Sequence, residues 1–176
     1  MQERRLTPGL LLLSICIVLL LMPGGPIENR VFPVPLFVAA CLGLHAFILS
    51  ICAAFSVYQT RRGGRQALYL AALEAIGFAT IYLADMSGVV PSAEPMGDVV
   101  KVFSIIGLAV AVLLMASVVR DLRRPMPEME SHYGMSRGEI VSLMAFSLYV
   151  GVILTIISTF NTVSRHPALY VWYGIH

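Results

Sequence analysis

Five apolar segments, separated by short polar stretches, dominate the pattern of residues along the chain. They lie at about residues 6–22, 34–60, 66–90, 99–119 and 140–163. A helix needs on the order of 20 apolar residues to cross the roughly 30 Å hydrocarbon core of a bilayer. Four segments reach that length and the first is marginal, so the pattern predicts five membrane-spanning helices.

The composition supports the same class of protein. Hydrophobic residues make up 58% of the chain and charged residues 12%, against about 25% charged residues in soluble domains. Backbone groups in hydrocarbon must pair internally, which restricts spanning structures to helices and closed barrels. Long unbroken apolar runs favour helices. We therefore predict an all-α polytopic bundle that forms a single integral membrane domain over residues 1–176.

The basic residues fall mostly in alternate connecting stretches. Nine arginines lie on one side of the predicted spans: Arg4, Arg5, Arg61, Arg62, Arg65, Arg120, Arg123, Arg124 and Arg137. Only Arg30, Lys101 and Arg165 lie on the other. The positive-inside rule then predicts a cytoplasmic N-terminus, an outer C-terminus and a multi-pass protein of the plasma (inner) membrane. Prolines at 23 and 26 make a poor cleavage site, so we expect the first segment to be retained as a signal anchor.

The net charge is only +2, and the nine arginines on one side are spread over three separate stretches. Such dispersed arginines are typical of contact with anionic lipid headgroups, and they form no concentrated patch for nucleic acid. The expected partners are the lipid bilayer and other membrane subunits or further copies of the chain. Two helix starts carry recognisable signals: Asp98 as the N-cap of the fourth helix, and Ser136 with Glu139 as a capping box before the fifth.

Small residues recur at helical spacing in three segments. These residues are Ser147, Gly151, Thr155 and Thr159 in the fifth segment, Ala71, Ala75 and Ala79 in the third, and Gly107 and Ala111 in the fourth. Small residues let helix backbones approach closely in lipid, where packing drives association. The ridges predict helix packing within the bundle or contact with a partner subunit.

Ionisable residues inside the spans are the candidates for function. Glu74 and Asp85 are eleven residues apart, which places both on one face of the third helix, about 16 Å apart. His45 of the second helix falls at a depth between them, so the three side chains form a conceivable polar column. Ionisable groups at membrane depth are costly and are functional candidates by default. A hydrogen-bonded carboxyl that fixes helix packing is the alternative for Glu74.

A metal site is a further alternative at His45. Cys41 and His45 are separated by four residues and share a helix face, and a thiolate with an imidazole suits copper or zinc. Two ligands do not complete a site, so the sequence implies no cofactor. A bis-histidine haem within this chain is excluded, because His45 is the only histidine deep in a span.

Two short elements resemble known families. Arg165, His166 and Pro167 with Tyr170 resemble the R-H-P-x-Y element of isoprenylcysteine and phospholipid methyltransferases, which implies binding of a methyl donor; one extra residue separates Pro167 from Tyr170 here. Arg61 and Arg62 before a helix that bears Glu74 look like the small antiporter-like subunits of respiratory proton pumps. That resemblance implies a proton path through Glu74, although a second glutamate in the next helix is missing.

The sequence carries no P-loop, no G-x-S-x-G elbow and no H-E-x-x-H motif. We therefore expect a non-enzymatic membrane subunit of a larger energy-converting or transport complex, with a proton path along it as a further expectation. A self-sufficient proton-coupled transporter or channel that uses Glu74 is the first alternative. An intramembrane redox, metal or methyltransferase-like protein is the second.

Overall fold

The structure is a computed structural model, which describes residues 6–22, 27, 36–61, 65–89, 95–123 and 136–165, with the side chains at 36–39, 137, 140 and 158–165 left out. The described residues form five α-helices. They are α1 (Leu6–Leu21), α2 (Leu36–Arg61), α3 (Arg65–Met86), α4 (Asp98–Leu122) and α5 (Arg137–Arg165). Each predicted apolar segment corresponds to one helix, and the all-helical fold class is confirmed.

Three helical segments in the described part of the chain are long and apolar enough to cross a membrane. They are Ala40–Arg61 within α2, the whole of α3 and the whole of α4. Helix α1 and the stretch Val141–Ile157 of α5 are apolar but shorter. The three long helices indicate a membrane location, whereas five spans and the orientation of the termini stay predictions.

Helices α1 to α4 form a closed ring in which each helix contacts its two neighbours. Helix α1 packs against α2 and α4, α3 packs against the same two helices, and α5 lies outside the ring, mainly on α2. Neighbouring helices of the ring run antiparallel. Arg61, Arg65, Arg120 and Arg123 lie at the helix ends on one side of the ring, which we call the Arg-rich end.

The placement of small side chains inside and large apolar side chains outside indicates that hydrocarbon surrounds the helices. The inner face of α3 carries the small residues Ala71 and Ala75, which are 0% and 1% exposed. Its outer face carries Leu73 and Ile76, which are 65% and 52% exposed. Large apolar side chains are exposed in this way on each of the five helices, and so extensive an apolar surface is rare on soluble proteins. In lipid they can face outward, while small inner residues let the helices approach one another.

The two predicted helix starts have different outcomes. The capping box before α5 is confirmed, because the Ser136 backbone N–H donates to Glu139 Oε2 at 2.7 Å and the Glu139 N–H donates to Ser136 Oγ at 3.2 Å. The prediction that Asp98 caps α4 is wrong. Gly97 is the N-cap and makes no side-chain hydrogen bond. Asp98 is the first helical residue, where its charge still interacts favourably with the positive helix end.

Candidate functional site

A row of four α3 residues runs along the inside of the ring. Glu74, Phe78, Tyr82 and Asp85 are three or four residues apart, so they share one helical face. Glu74, Phe78 and Tyr82 are 3%, 0% and 1% exposed, and Asp85 is half-buried. The two carboxylates therefore share a face, as the spacing predicts, but two aromatic rings occupy the space between them along the helix.

The carboxyl group of Glu74 is held on one side only. Ser56 Oγ of α2 donates a hydrogen bond of 2.8 Å to Glu74 Oε1. Glu74 Oε2 is buried and has no hydrogen-bond partner within the described residues. Buried polar atoms in proteins nearly always have partners, and exceptions often mark functional groups or bound water. One carboxyl oxygen is thus anchored, and the other is available to a proton or a polar ligand.

Buried polar side chains lie between Glu74 and the Arg-rich end. Ser56, Gln59 and Thr60 are all buried and occupy the last two turns of α2. Thr60 Oγ1 donates to the backbone carbonyl of Ser56 at 2.7 Å. Because α2 ends at Arg61, the three side chains span the distance from Glu74 to the end of the bundle.

A second buried hydroxyl belongs to Ser14 of α1, at a different depth from Glu74. Ser14 of α1 is 0% exposed, and its Oγ has no hydrogen-bond partner in the described part of the protein. Ser14 lies two turns along α1 from Thr7, which is level with Ser117 of α4. Glu74 lies two turns along α3 from Tyr82, which is level with Gly107. These registers place Ser14 about one and a half turns further from the Arg-rich end than Glu74.

The side of Glu74 away from the Arg-rich end is closed by aromatic packing. The Tyr82 ring lies against the backbone of α4 at Gly107, where an added Cβ would come within 2.5 Å of Tyr82 Cζ. Tyr82 OH is buried and lacks a hydrogen-bond partner among the residues described. One turn beyond, Ser104 Oγ of α4 donates to Asp85 Oδ2 at 3.3 Å. Phe78 is thus an apolar side chain that separates Glu74 from the Asp85–Ser104 hydrogen bond.

His45 does not enter this interior. It is exposed on α2, as is Cys41 one turn away. The α2–α3 register, with Ser56 level with Glu74 and Leu49 against Gly77, sets His45 level with the last two turns of α3. The depth of His45 agrees with the predicted column, but its side chain lies on the outside. No group of three or more potential metal ligands occurs among the described residues.

The small residues of α5 face α2 in a regular antiparallel register. Cys52 Sγ donates a weak hydrogen bond of 3.7 Å to Ser147 Oγ. A Cβ on Gly151 would lie 3.1 Å from Ile48 Cγ1, and Gly43 approaches the Thr155 methyl group. Ser147, Gly151 and Thr155 of α5 therefore pack against α2 of the same chain. The Thr159 side chain lies outside the described residues.

The other predicted ridges line the ring. Ala71 and Ala75 of α3 and Ala111 of α4 are buried, and Ala79 packs against the same core. Gly107 gives room to the Tyr82 ring. Among the elements named from the sequence, Arg62 and the segment with His166, Pro167 and Tyr170 lie outside the described residues.

Sequence reasoning missed a buried polar network at the Arg-rich end. Thr7 Oγ1 of α1 donates to Asp121 Oδ2 at 2.9 Å and lies 2.7 Å from Ser117 Oγ. All three side chains are buried, with at most 6% exposure. Asp121 continues the inner face of α4 that includes Leu114 and Ser117, and this spacing was the available signal. The network of Thr7, Ser117 and Asp121 joins α1 to α4.

The comparisons with known proteins assign a family. A family model described as a domain of unknown function (DUF8051) matches residues 3–137, which is more than half of the chain. The chain belongs to this family. The matched range includes α1 to α4 and ends where α5 begins. No curated protein and no solved structure shows significant similarity to the chain.

Proposed function

We propose that this member of the DUF8051 family is a non-enzymatic membrane subunit of a larger energy-converting or transport assembly, and that Glu74 exchanges protons with the Arg-rich side. One observation carries the proposal. Glu74 is buried inside a four-helix ring, with one oxygen bonded to Ser56 and the other without a partner in the described part of the chain. Ionisable residues at membrane depth commonly belong to proton relays.

The proposal includes five spans in the plasma (inner) membrane, with the Arg-rich end in the cytoplasm. The positive-inside rule supports this orientation, because Arg61, Arg65, Arg120 and Arg123 lie at one end of the ring. Single-cysteine variants at exposed Gly97 and Ser136, in a background without the native cysteines, test it. In intact cells a membrane-impermeant maleimide should label Gly97→Cys and spare Ser136→Cys.

The relay in this proposal starts at the cytoplasmic end. Gln59, Thr60 and Ser56 offer buried polar groups over the last two turns of α2. A proton that arrives along them, with water where needed, bonds to Glu74 and leaves by the same or a further route. Phe78 is fully buried on the far side. Onward transfer therefore requires movement of Phe78 or a route completed by another chain, which is why we favour a subunit.

Co-purification tests the assembly. The tagged protein, extracted from native membranes with a mild detergent, should retain other membrane proteins in fixed proportion. Within that assembly, Glu74→Gln should lower proton-coupled activity by more than tenfold. Glu139→Gln is a matched control, because Glu139 is exposed and glutamine preserves its capping role. A stable solitary monomer from native membranes would contradict the subunit proposal.

A self-sufficient proton-coupled transporter or channel is the second candidate. Tyr82 and the Asp85–Ser104 hydrogen bond continue polar groups along the same α3 face beyond Phe78, which favours this alternative. The purified chain, reconstituted into vesicles that contain a pH-sensitive dye, distinguishes the two. Proton flux that is lost in Glu74→Gln and kept in Glu139→Gln supports a transporter, and no flux above empty vesicles supports a subunit.

A further inference from the structure

We infer that the groove between α1 and α4 at the Arg-rich end binds a single anionic phospholipid. The groove has a volume of about 260 Å³ and is lined by Leu6, Leu10, Leu113, Ala116, Ser117 and Arg120. It lies on the outside of the ring and has no part in the Glu74 site, so the inference is independent of the proton relay.

The polarity of the groove changes along the helix axis. Arg120 lies in the last turn of α4, beside the start of α1 at Leu6. Leu10 and Leu113 lie about one to two turns further from the Arg-rich end. A phospholipid has the same order of groups, with an anionic phosphate at the interface and an acyl chain in the hydrocarbon. The charged and apolar parts of the groove match those two parts of the ligand.

The buried network of Thr7, Ser117 and Asp121 positions the guanidinium of Arg120, which is the cationic group of the groove. Asp121 Oδ1 lies 3.5 Å from both Nε and Nη2 of Arg120, and Asp121 Oδ2 accepts the Thr7 hydroxyl. The Arg120 side chain is 46% exposed, so part of its guanidinium faces the open side. Arginine presents several N–H donors in a fixed plane, which suits a phosphate group. Asp121 thus orients the guanidinium through Nε and Nη2 and leaves the Nη1 donors for a headgroup.

Native mass spectrometry of the detergent-solubilised full chain tests the inference, with dioleoyl phosphatidylglycerol as the anionic probe and dioleoyl phosphatidylcholine as the zwitterionic control. The expected result is one retained phosphatidylglycerol, bound at least tenfold more tightly than phosphatidylcholine. Arg120→Gln should remove this preference. Arg123→Gln is the matched control, because Arg123 is exposed at the same end but does not line the groove, and it should leave the preference unchanged.

A second variant separates the groove from general headgroup attraction. Ala116 is exposed on the groove wall, so Ala116→Phe fills the groove while Arg120 stays in place. It should abolish retention of phosphatidylglycerol without lowering the unfolding midpoint in detergent. Equal binding of the two lipids, equal losses in the Arg120 and Arg123 variants, or full binding by Ala116→Phe would each overturn the inference.

Discussion

Ser56 of α2 donates a hydrogen bond of 2.8 Å to Glu74 of α3, and both side chains are buried inside the helix ring. We expect Ser56→Ala to lower the free energy of unfolding by about 1–3 kcal/mol, because the substitution leaves a buried carboxyl oxygen without its donor. Unfolding in mixed detergent micelles measures this change.

The control for that experiment is Ser50→Ala. Ser50 is buried on the same helix, but its hydroxyl bonds only to the backbone carbonyl of Ala46 at 2.8 Å. That carbonyl already accepts a helical hydrogen bond, so we expect a smaller effect. A loss in Ser50→Ala equal to that in Ser56→Ala would mean that the Ser56–Glu74 hydrogen bond adds nothing to stability.

Gly107 is required by the Tyr82 ring. Gly107→Ala would bring a Cβ to 2.5 Å from a ring carbon, and overpacking of this kind should lower stability by about 2 kcal/mol. Gly9→Ala is the matched control, because nothing lies within 4 Å of a Cβ at Gly9. We expect no loss there, since alanine is the better helix former. Detergent unfolding of the two variants, side by side, provides the comparison.

Thr7 holds the ring closed at the Arg-rich end. Thr7→Val keeps the shape of the side chain but removes the hydroxyl bonded to Asp121 and Ser117. We expect a loss of about 1–3 kcal/mol, because a buried carboxylate oxygen is left unsatisfied. Thr7→Ser restores the hydroxyl and should recover most of the stability. If the valine variant unfolds like the unmodified protein, the network does not secure α1.

The docking of α5 on α2 can be trapped by oxidation. Cys52 Sγ and Ser147 Oγ lie 3.7 Å apart, which is close enough for a disulfide after Ser147→Cys with small side-chain movements. In a background of Cys16→Ala and Cys41→Ala, oxidation before denaturation should block both remaining thiols from maleimide. Leu148→Cys points outward, with Leu148 53% exposed, and should leave both thiols reactive. If the thiols are protected in the Leu148→Cys variant and remain reactive in the Ser147→Cys variant, α5 docks on α2 through another face.

Phe78 is the barrier in the proposed relay. We expect Phe78→Ala to raise proton leakage through reconstituted vesicles severalfold, because it opens space between Glu74 and Tyr82. Phe78→Leu keeps an apolar side chain in place and should leak much less. In the double variant Glu74→Gln with Phe78→Ala, the leakage should return to the background level. Leakage that persists in the double variant would show a route that does not use Glu74.

The helices were predictable because their signals are local. The spacing of Ser136 and Glu139 predicted the start of α5 through two hydrogen bonds over three residues. The eleven-residue separation of Glu74 and Asp85 predicted a shared face from helix geometry alone. His45 shows the limit of this reasoning, because its depth followed from helix lengths whereas its outward direction depended on which neighbours α2 acquires.

The sequence by itself determined an apolar chain of five helices, with the ends of each element within a few residues, because hydrophobic run length and capping act over a few turns. Only the tertiary structure decided that α1 closes a ring against α4, that Thr7 reaches Asp121, and that Tyr82 packs on Gly107. The physical reason is that helices in lipid are apolar on all sides. A stripe of small residues can mark an inner face, as Ala71 and Ala75 do in α3, but only contacts between distant segments select the helix that it faces.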